Sequence, residues 1–135
     1  MNKYRNISIF AFLIVILSAC ASGPPTEEEL AAADYGEPIS QEHAQQMAEQ
    51  FLSQWLYDPN SAQYQWDKIF KGYLRHPPIH GGGVVFGYIL DVNVNSKSKL
   101  GFYTGFKPFR FVFYSGTLKT VYGQQAGASY MVKIY

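Results

Sequence analysis

The sequence is short of the side chains that usually carry chemistry: 135 residues hold one cysteine, three histidines and only 16% charged residues. A lone cysteine excludes an internal disulfide, so the fold must rest on its hydrophobic core. His76 and His80 stand four apart but are separated by Pro77-Pro78, with His43 distant in the chain. Zinc needs three or four converging ligands, so this segment reads as a surface loop and no metal is assigned. Gly81-Gly82-Gly83 precedes a strand pattern rather than a helix, and no Gly-Lys-Ser/Thr follows. That excludes a phosphate loop, and the glycines read as a hinge. From Lys68 to Tyr135 the only acid is Asp91. Paired-carboxylate catalysis therefore lacks a second acid nearer than Asp67, and no serine sits in a nucleophile-elbow context. The chain reads as non-enzymatic and without a cofactor. A small hydrolase is the third-ranked alternative, and it requires His76, His80 and Asp67 or Asp91 to meet in one pocket.

No apolar run is long enough for a membrane span, which takes about 20 residues. Ile7–Leu17, apolar except for Ser8, follows Lys3 and Arg5 and precedes Leu17-Ser18-Ala19-Cys20. This is the layout of a signal peptide. Leu17–Cys20 resembles the lipobox of bacterial lipoproteins, in which the cysteine is diacylated and becomes the mature N-terminus. The resemblance implies cleavage after residue 19 and lipid attachment at Cys20, with membrane lipid as the first partner. Ala21 stands where an aspartate would signal inner-membrane retention in enterobacteria-like sorting. In a Gram-negative cell the resemblance thus implies an outer-membrane anchor facing the periplasm.

Lys and Arg are absent from Cys20 to Asp67, where Glu27, Glu28, Glu29, Asp34, Glu37, Glu42, Glu49, Asp58 and Asp67 all occur. The later half is the reverse, with Lys68, Lys71, Arg75, Lys97, Lys99, Lys107, Arg110, Lys119 and Lys133 against Asp91 alone. One reading is a basic sheet face that meets an anionic partner; the other is an acidic N-terminal part that offsets the sheet within the fold.

Residues 20–39 are poor in bulky apolar side chains and read as a flexible acidic tether after the lipidated cysteine, with a capping-box spacing at Thr26 and Glu29. Residues 40–135 read as one domain. Ser40 is the expected N-cap of a helix whose Ala44, Met47, Ala48, Phe51, Leu52, Trp55 and Leu56 share one face, ending before Asp58-Pro59. The stripe, Trp55 included, reads as core. Beyond it the period falls to two, over Ala62–Trp66, Val84–Asn95, Gly101–Tyr114, Thr117–Tyr122 and Tyr130–Tyr135. The phase slip near Lys107-Pro108 predicts an edge or a bulge there. The expected fold is α+β: one N-terminal amphipathic helix packed on an antiparallel sheet of four to five strands.

Asp58-Pro59-Asn60-Ser61-Ala62-Gln63-Tyr64 and Gly101-Phe102-Tyr103-Thr104-Gly105-Phe106-Lys107-Pro108-Phe109 together resemble a pattern in small uncharacterised bacterial envelope and phage-borne proteins. The resemblance covers about residues 45–115 and implies a shared fold without an activity. This chain departs from it at Tyr88–Asn95, where the pattern carries a cysteine and a Glu-Val-Asn-Ala-Lys-like run.

The resulting expectation is a lipid-anchored envelope binding or assembly module, in a transport or secretion assembly, whose partner is an envelope protein or an anionic envelope polymer. Tyr103, Lys107 and Arg110 are the expected partner contacts, for aromatic and cationic character beside Pro108. Nucleic acid is set aside, because strands favour aromatics anyway and exported proteins seldom meet it. The alternative is a periplasmic inhibitor of a cell-wall hydrolase, in which a basic loop occupies active-site carboxylates.

Overall fold

The computed structural model describes residues 23–125 and 128–135. The leader and the Leu17–Cys20 lipobox lie outside the described residues. Two α-helices come first, α1 over Glu27–Ala31 and α2 over Gln41–Trp55. Six strands follow: β1 Asp58–Trp66, β2 Phe70–Arg75, β3 Val84–Lys97, β4 Lys107–Tyr114, β5 Thr117–Gln124 and β6 Met131–Lys133, with a short 3-10 turn at Pro78–His80.

The expectation of an α+β fold with one helix on four to five strands is overturned. The described residues are mostly a six-stranded antiparallel sheet, ordered β1-β3-β4-β5-β6, with β2 also paired to β3. There are two α-helices, and α1 buries none of its residues. The strand that periodicity hides is β2, where Gly72 interrupts the alternation of Phe70 and Leu74 with Lys71, Tyr73 and Arg75.

At 14 residues, β3 is long enough to pair with two strands end to end along one edge. β1 takes its later part, with Trp66 opposite Val92, and β2 its earlier part, with Phe70 opposite Ile89. Three residues lie between Trp66 and Phe70 but only two between Ile89 and Val92, so one extra residue lies in 67–69. A bulge of this kind reverses which side chains face which way. Gln41, the first residue of α2, satisfies the loosened backbone: its side chain accepts from the Ile69 N–H at 2.7 Å and donates to the Asp67 carbonyl at 3.0 Å.

The main core lies on one face of the sheet. Leu90, Val92 and Val94 of β3, Phe109, Phe111 and Phe113 of β4 and Val121 of β5 cluster with Ala44, Ala48 and Leu52 of α2. The other face carries the complementary row: Ile89, Val112 and Thr120 in register, then Asp91, Arg110 and Tyr122. Across it, Arg110 makes a two-pronged ion pair with Asp91, at 2.8 and 2.7 Å. Such fork-to-carboxylate geometry is the strong form of the charged hydrogen bond.

Two local expectations change with the sheet. The strand expected from Gly101 begins only at Lys107, because Gly101 and Gly105 adopt φ of +80° and +90°. Residues 98–106 form instead a loop pinned to β3, where the Gly105 N–H donates to the Asn95 side chain at 3.0 Å. The bulge expected at Pro108 lies further on, between Val112 and Phe113. Pro108 pairs with Asn93 of β3, and the pairing with β5 begins one residue later at Phe109. Proline is accepted at the start of a strand because one ladder has no need of its missing N–H.

Residues 23–39, expected as part of a flexible tether, make specific contacts with the sheet. Arg75 donates to the Gly23 carbonyl at 2.7 Å and pairs with Glu29 at 2.9 Å. The Tyr35 ring meets Phe86 edge-on at 5.3 Å and lies under the Lys71 ammonium at 4.3 Å. Tyr114 donates its hydroxyl to Asp34, and the Ser115 hydroxyl accepts from the Glu37 N–H. The capping box is formed, with Thr26 and Glu29 exchanging hydrogen bonds. One of the five acids before Pro38, Glu29, pairs with a base of β2, and the other contacts are hydrogen bonds and the Tyr35 ring, so specific polar and aromatic contacts hold a segment poor in bulky apolar residues.

This strap is expected to open in acid. The Thr26 backbone N–H and then Arg75 hold the Glu29 carboxyl below its ordinary value. The Tyr114 hydroxyl and then the Gly36 N–H do the same for Asp34. A depressed carboxylate contributes attachment that is complete above its unfolded pKa, about 4, and lost as pH falls through the lower folded value. Amide protection factors at Gly36 and Glu37 should therefore collapse below the ordinary carboxylate range while Val92 and Phe111 stay protected. Arg75→Ala should loosen residues 23–29 at neutral pH. Equal loss at all four amides, or no loss, would contradict the strap.

Candidate cationic and aromatic end of the sheet

The three expected contact residues are not brought together as a set. Arg110 points to the face opposite the helix and is occupied by Asp91, whose hydrogen bonds hold the guanidinium above its ordinary pKa. Lys107 shares the helix face with Phe109, as the odd spacing from Arg110 requires. Tyr103 is 45% exposed on the 98–106 loop, bridged to Lys97 at the end of β3, with the Lys97 ammonium 5.5 Å from its ring centre. Lys107 and Tyr103 thus belong to one end of the sheet.

What gathers at that end is broader than the sequence reading. Lys99 lies 5.9 Å from the ring centre of Tyr57, and Leu100, Phe102 and Phe106 are all exposed beside it. These ammonium-to-ring distances are within reach of a cation–π contact, worth about 0.5–1 kcal/mol at an exposed site, so they orient the lysines without neutralising them. Asp58 is opposite Lys97 in register, yet the two ion pairs among the described residues are Arg75 with Glu29 and Arg110 with Asp91. Lys97, Lys99 and Lys107 therefore remain without a carboxylate partner there.

Trp55, expected in the core, is 45% exposed. It stacks on Phe51 at 6.1 Å and forms one wall of a 310 Å³ cleft with Tyr57, Ser96, Thr104, Lys107 and Gln124. The helical spacing places Trp55 on the apolar face, but it is the last residue of α2, where the sheet beneath runs out. The other basic residues are dispersed: Lys71 and Arg75 hold the strap, and Lys119 lies 5.7 Å from the Tyr114 ring centre. The charge asymmetry thus divides in space: Glu29 of the acidic segment pairs with Arg75 of β2, and Lys97, Lys99 and Lys107 gather at the far end of β3.

The hydrolase set does not converge. His76 and His80 both meet Tyr122: the His76 Nδ1 shares a hydrogen bond with the Tyr122 hydroxyl, 2.9 Å away, and the His80 ring approaches edge-on at 6.4 Å. Burial, then Lys133 and His80, push His76 below its usual pKa. Asp91 is held by Arg110, and Asp67 is exposed with its backbone N–H on the Asp91 carbonyl at 3.0 Å. Among the described residues no three His, Cys, Asp or Glu side chains are grouped as metal ligands. No family model matches the chain, and neither a curated protein nor a solved structure is significantly similar to it.

Proposed function

We propose that this chain is a lipid-anchored envelope binding module that stands on the membrane at one end of β3 and presents a cationic, aromatic surface at the other. The anchor rests on the lipobox resemblance at Leu17–Cys20 and, for the outer membrane of a Gram-negative cell, on Ala21. The observation that carries the orientation is the Arg75 hydrogen bond to the Gly23 carbonyl. Three residues of chain separate Cys20 from Gly23, at most about 10 Å even when extended. Arg75 pairs with Val84, the first residue of β3, so the lipid attachment lies near that end. Lys97, the last residue of β3, is 13 residues further, or about 43 Å at about 3.3 Å each. A tether free from Cys20 to residue 39 would give the domain a long reach; attachment at Gly23 shortens that reach, which supports an orientation with Lys97, Lys99, Lys107 and Tyr103 directed away from the bilayer.

The partner this surface suits is an anionic envelope polymer. Three lysines without carboxylate partners raise the local concentration of a polyanion, and the exposed rings add contact area at low ordering cost. The test is co-sedimentation of the full chain, in detergent, with purified envelope polymer. Lys97→Glu, Lys99→Glu and Lys107→Glu combined should weaken capture at least tenfold, and raising salt should weaken the unmodified chain in the same direction. Cys20→Ser should release the protein from membranes. Capture unchanged by the triple reversal would overturn the binding surface, and membrane retention of the serine variant would overturn the anchor.

A further inference from the structure

The cleft beside Trp55 is chemically unlike the rest of the cationic end. At 310 Å³ it lies at the lower bound of small-ligand sites, about 300–1,000 Å³, which combine apolar walls with a few placed polar groups. One wall is flat and aromatic: Trp55, held in orientation by its stack on Phe51, with Tyr57 next to it. The lining also includes the neutral hydrogen-bonding residues Ser96, Thr104, Gln124 and Gln125. The Gln124 amide nitrogen donates to the Ala128 carbonyl, which fixes the side chain and leaves its oxygen as an acceptor. Thr104 is anchored to β3 through its backbone N–H, 3.3 Å from the Ser96 carbonyl. A single charge, Lys107, completes the lining, and no carboxylate takes part.

We infer that this cleft is a subsite for one ring of an acidic glycan, a pyranose that carries a carboxylate. This rests on the envelope-binding reading and names the ligand class for the same end of the sheet. A pyranose has an apolar face of C–H groups, suited to the Trp55 ring, and a rim of hydroxyls, suited to Ser96, Thr104 and Gln124. Its carboxylate would meet Lys107. A purely apolar ligand would make no use of the acceptor oxygens that remain once the Thr104 hydroxyl donates to the Ser96 carbonyl and the Gln124 amide nitrogen to the Ala128 carbonyl. A simple polyanion would leave the aromatic wall unused. Lys97 and Lys99, outside the cleft, would follow the next charged units of the polymer.

The experiment uses the full chain in a zwitterionic detergent without a sugar head group. Three probes are compared: an N-acetylglucosamine oligomer, which is neutral; a muramic-acid-containing disaccharide; and a galacturonate oligomer. Binding is read from Trp55 fluorescence, with Trp55→Phe assigning the signal against Trp66, and from side-chain chemical shifts. The expected result is saturable binding of at least one carboxylate-bearing probe, tighter than that of the neutral oligomer. Lys107→Gln should cut the ratio of acidic to neutral affinity about tenfold, and Thr104→Val should weaken both probes. The muramic and galacturonate arms separate a cell-wall source from a surface polysaccharide of the same chemistry. No response to any sugar at millimolar concentration, or an acidic preference that survives Lys107→Gln, would overturn the subsite. Polymer capture that persists without any sugar response leaves the envelope-binding reading standing and removes only the glycan.

Discussion

Gly87→Ala is expected to lower the free energy of unfolding by about 2–3 kcal/mol, although the change adds one methyl group to a strand that favours side chains. Gly87 is buried, and a Cβ there would lie inside van der Waals contact of the Phe113 carbonyl oxygen. Phe113 follows the bulge between Val112 and Phe113, so the obstruction is backbone belonging to a central strand. A side chain could rotate away; a carbonyl that is part of a sheet can move only with its strand. Gly72 provides the contrast. A Cβ at Gly72 would approach the Phe70 ring at 2.9 Å, but Phe70 is 43% exposed on an edge strand and can turn outward. Urea denaturation of the two alanine variants should therefore place Gly87→Ala well below Gly72→Ala. Equal midpoints would show that the Phe113 carbonyl yields easily.

The second large effect is expected at Phe111. It is fully buried on β4, between Leu90 of β3 and Val121 of β5 in register, and its ring meets Phe51 of α2 edge-on at 5.8 Å. Phe111→Ala removes a ring that joins three strands to the helix, and such truncations cost about 3–5 kcal/mol because the surroundings collapse only partly. Phe111→Leu retains most of the volume and should cost markedly less. The measurement is again chemical denaturation, with far-ultraviolet circular dichroism to show that each variant still folds. A loss below about 1 kcal/mol for the alanine variant would mean that the core is loosely packed at this point.

The two halves of the charge pattern have different legibility. Nine acids before Lys68 and nine bases after Asp67 are visible in one reading of the chain, and they raise two readings, a surface for an anionic partner and an internal offset. Which base performs which role is invisible, because it depends on strand parity and on partners far away in sequence. Arg110 looks like a contact residue three positions from Lys107, yet an odd offset along a strand sends it to the opposite face, where Asp91 waits 19 residues earlier. Trp55 looks like core because helical spacing reports only which face a residue occupies, and not where the opposing surface ends. Its exposure, and with it the cleft, follows from its place as the last residue of α2.

Taken by itself, the sequence determined the features whose causes are local. Ser40 receives the His43 N–H and starts α2, and Pro59 lies just beyond its end. Thr26 and Glu29 close a capping box, and the alternation of Leu90, Val92 and Val94 sets the buried side of β3. Caps, proline geometry and periodicity act over a few residues, so they are readable without a partner strand. Only the tertiary structure decided the rest: six strands rather than four or five, the inserted residue at 67–69 that joins β1 to β2, and the strap laid on the sheet by Arg75. Each of these depends on groups that meet from opposite parts of the chain, Arg75 with Gly23 across 52 residues and Gln41 with Ile69 across 28. A hydrogen bond of that span leaves no period in the sequence, because its geometry exists only after the sheet has formed.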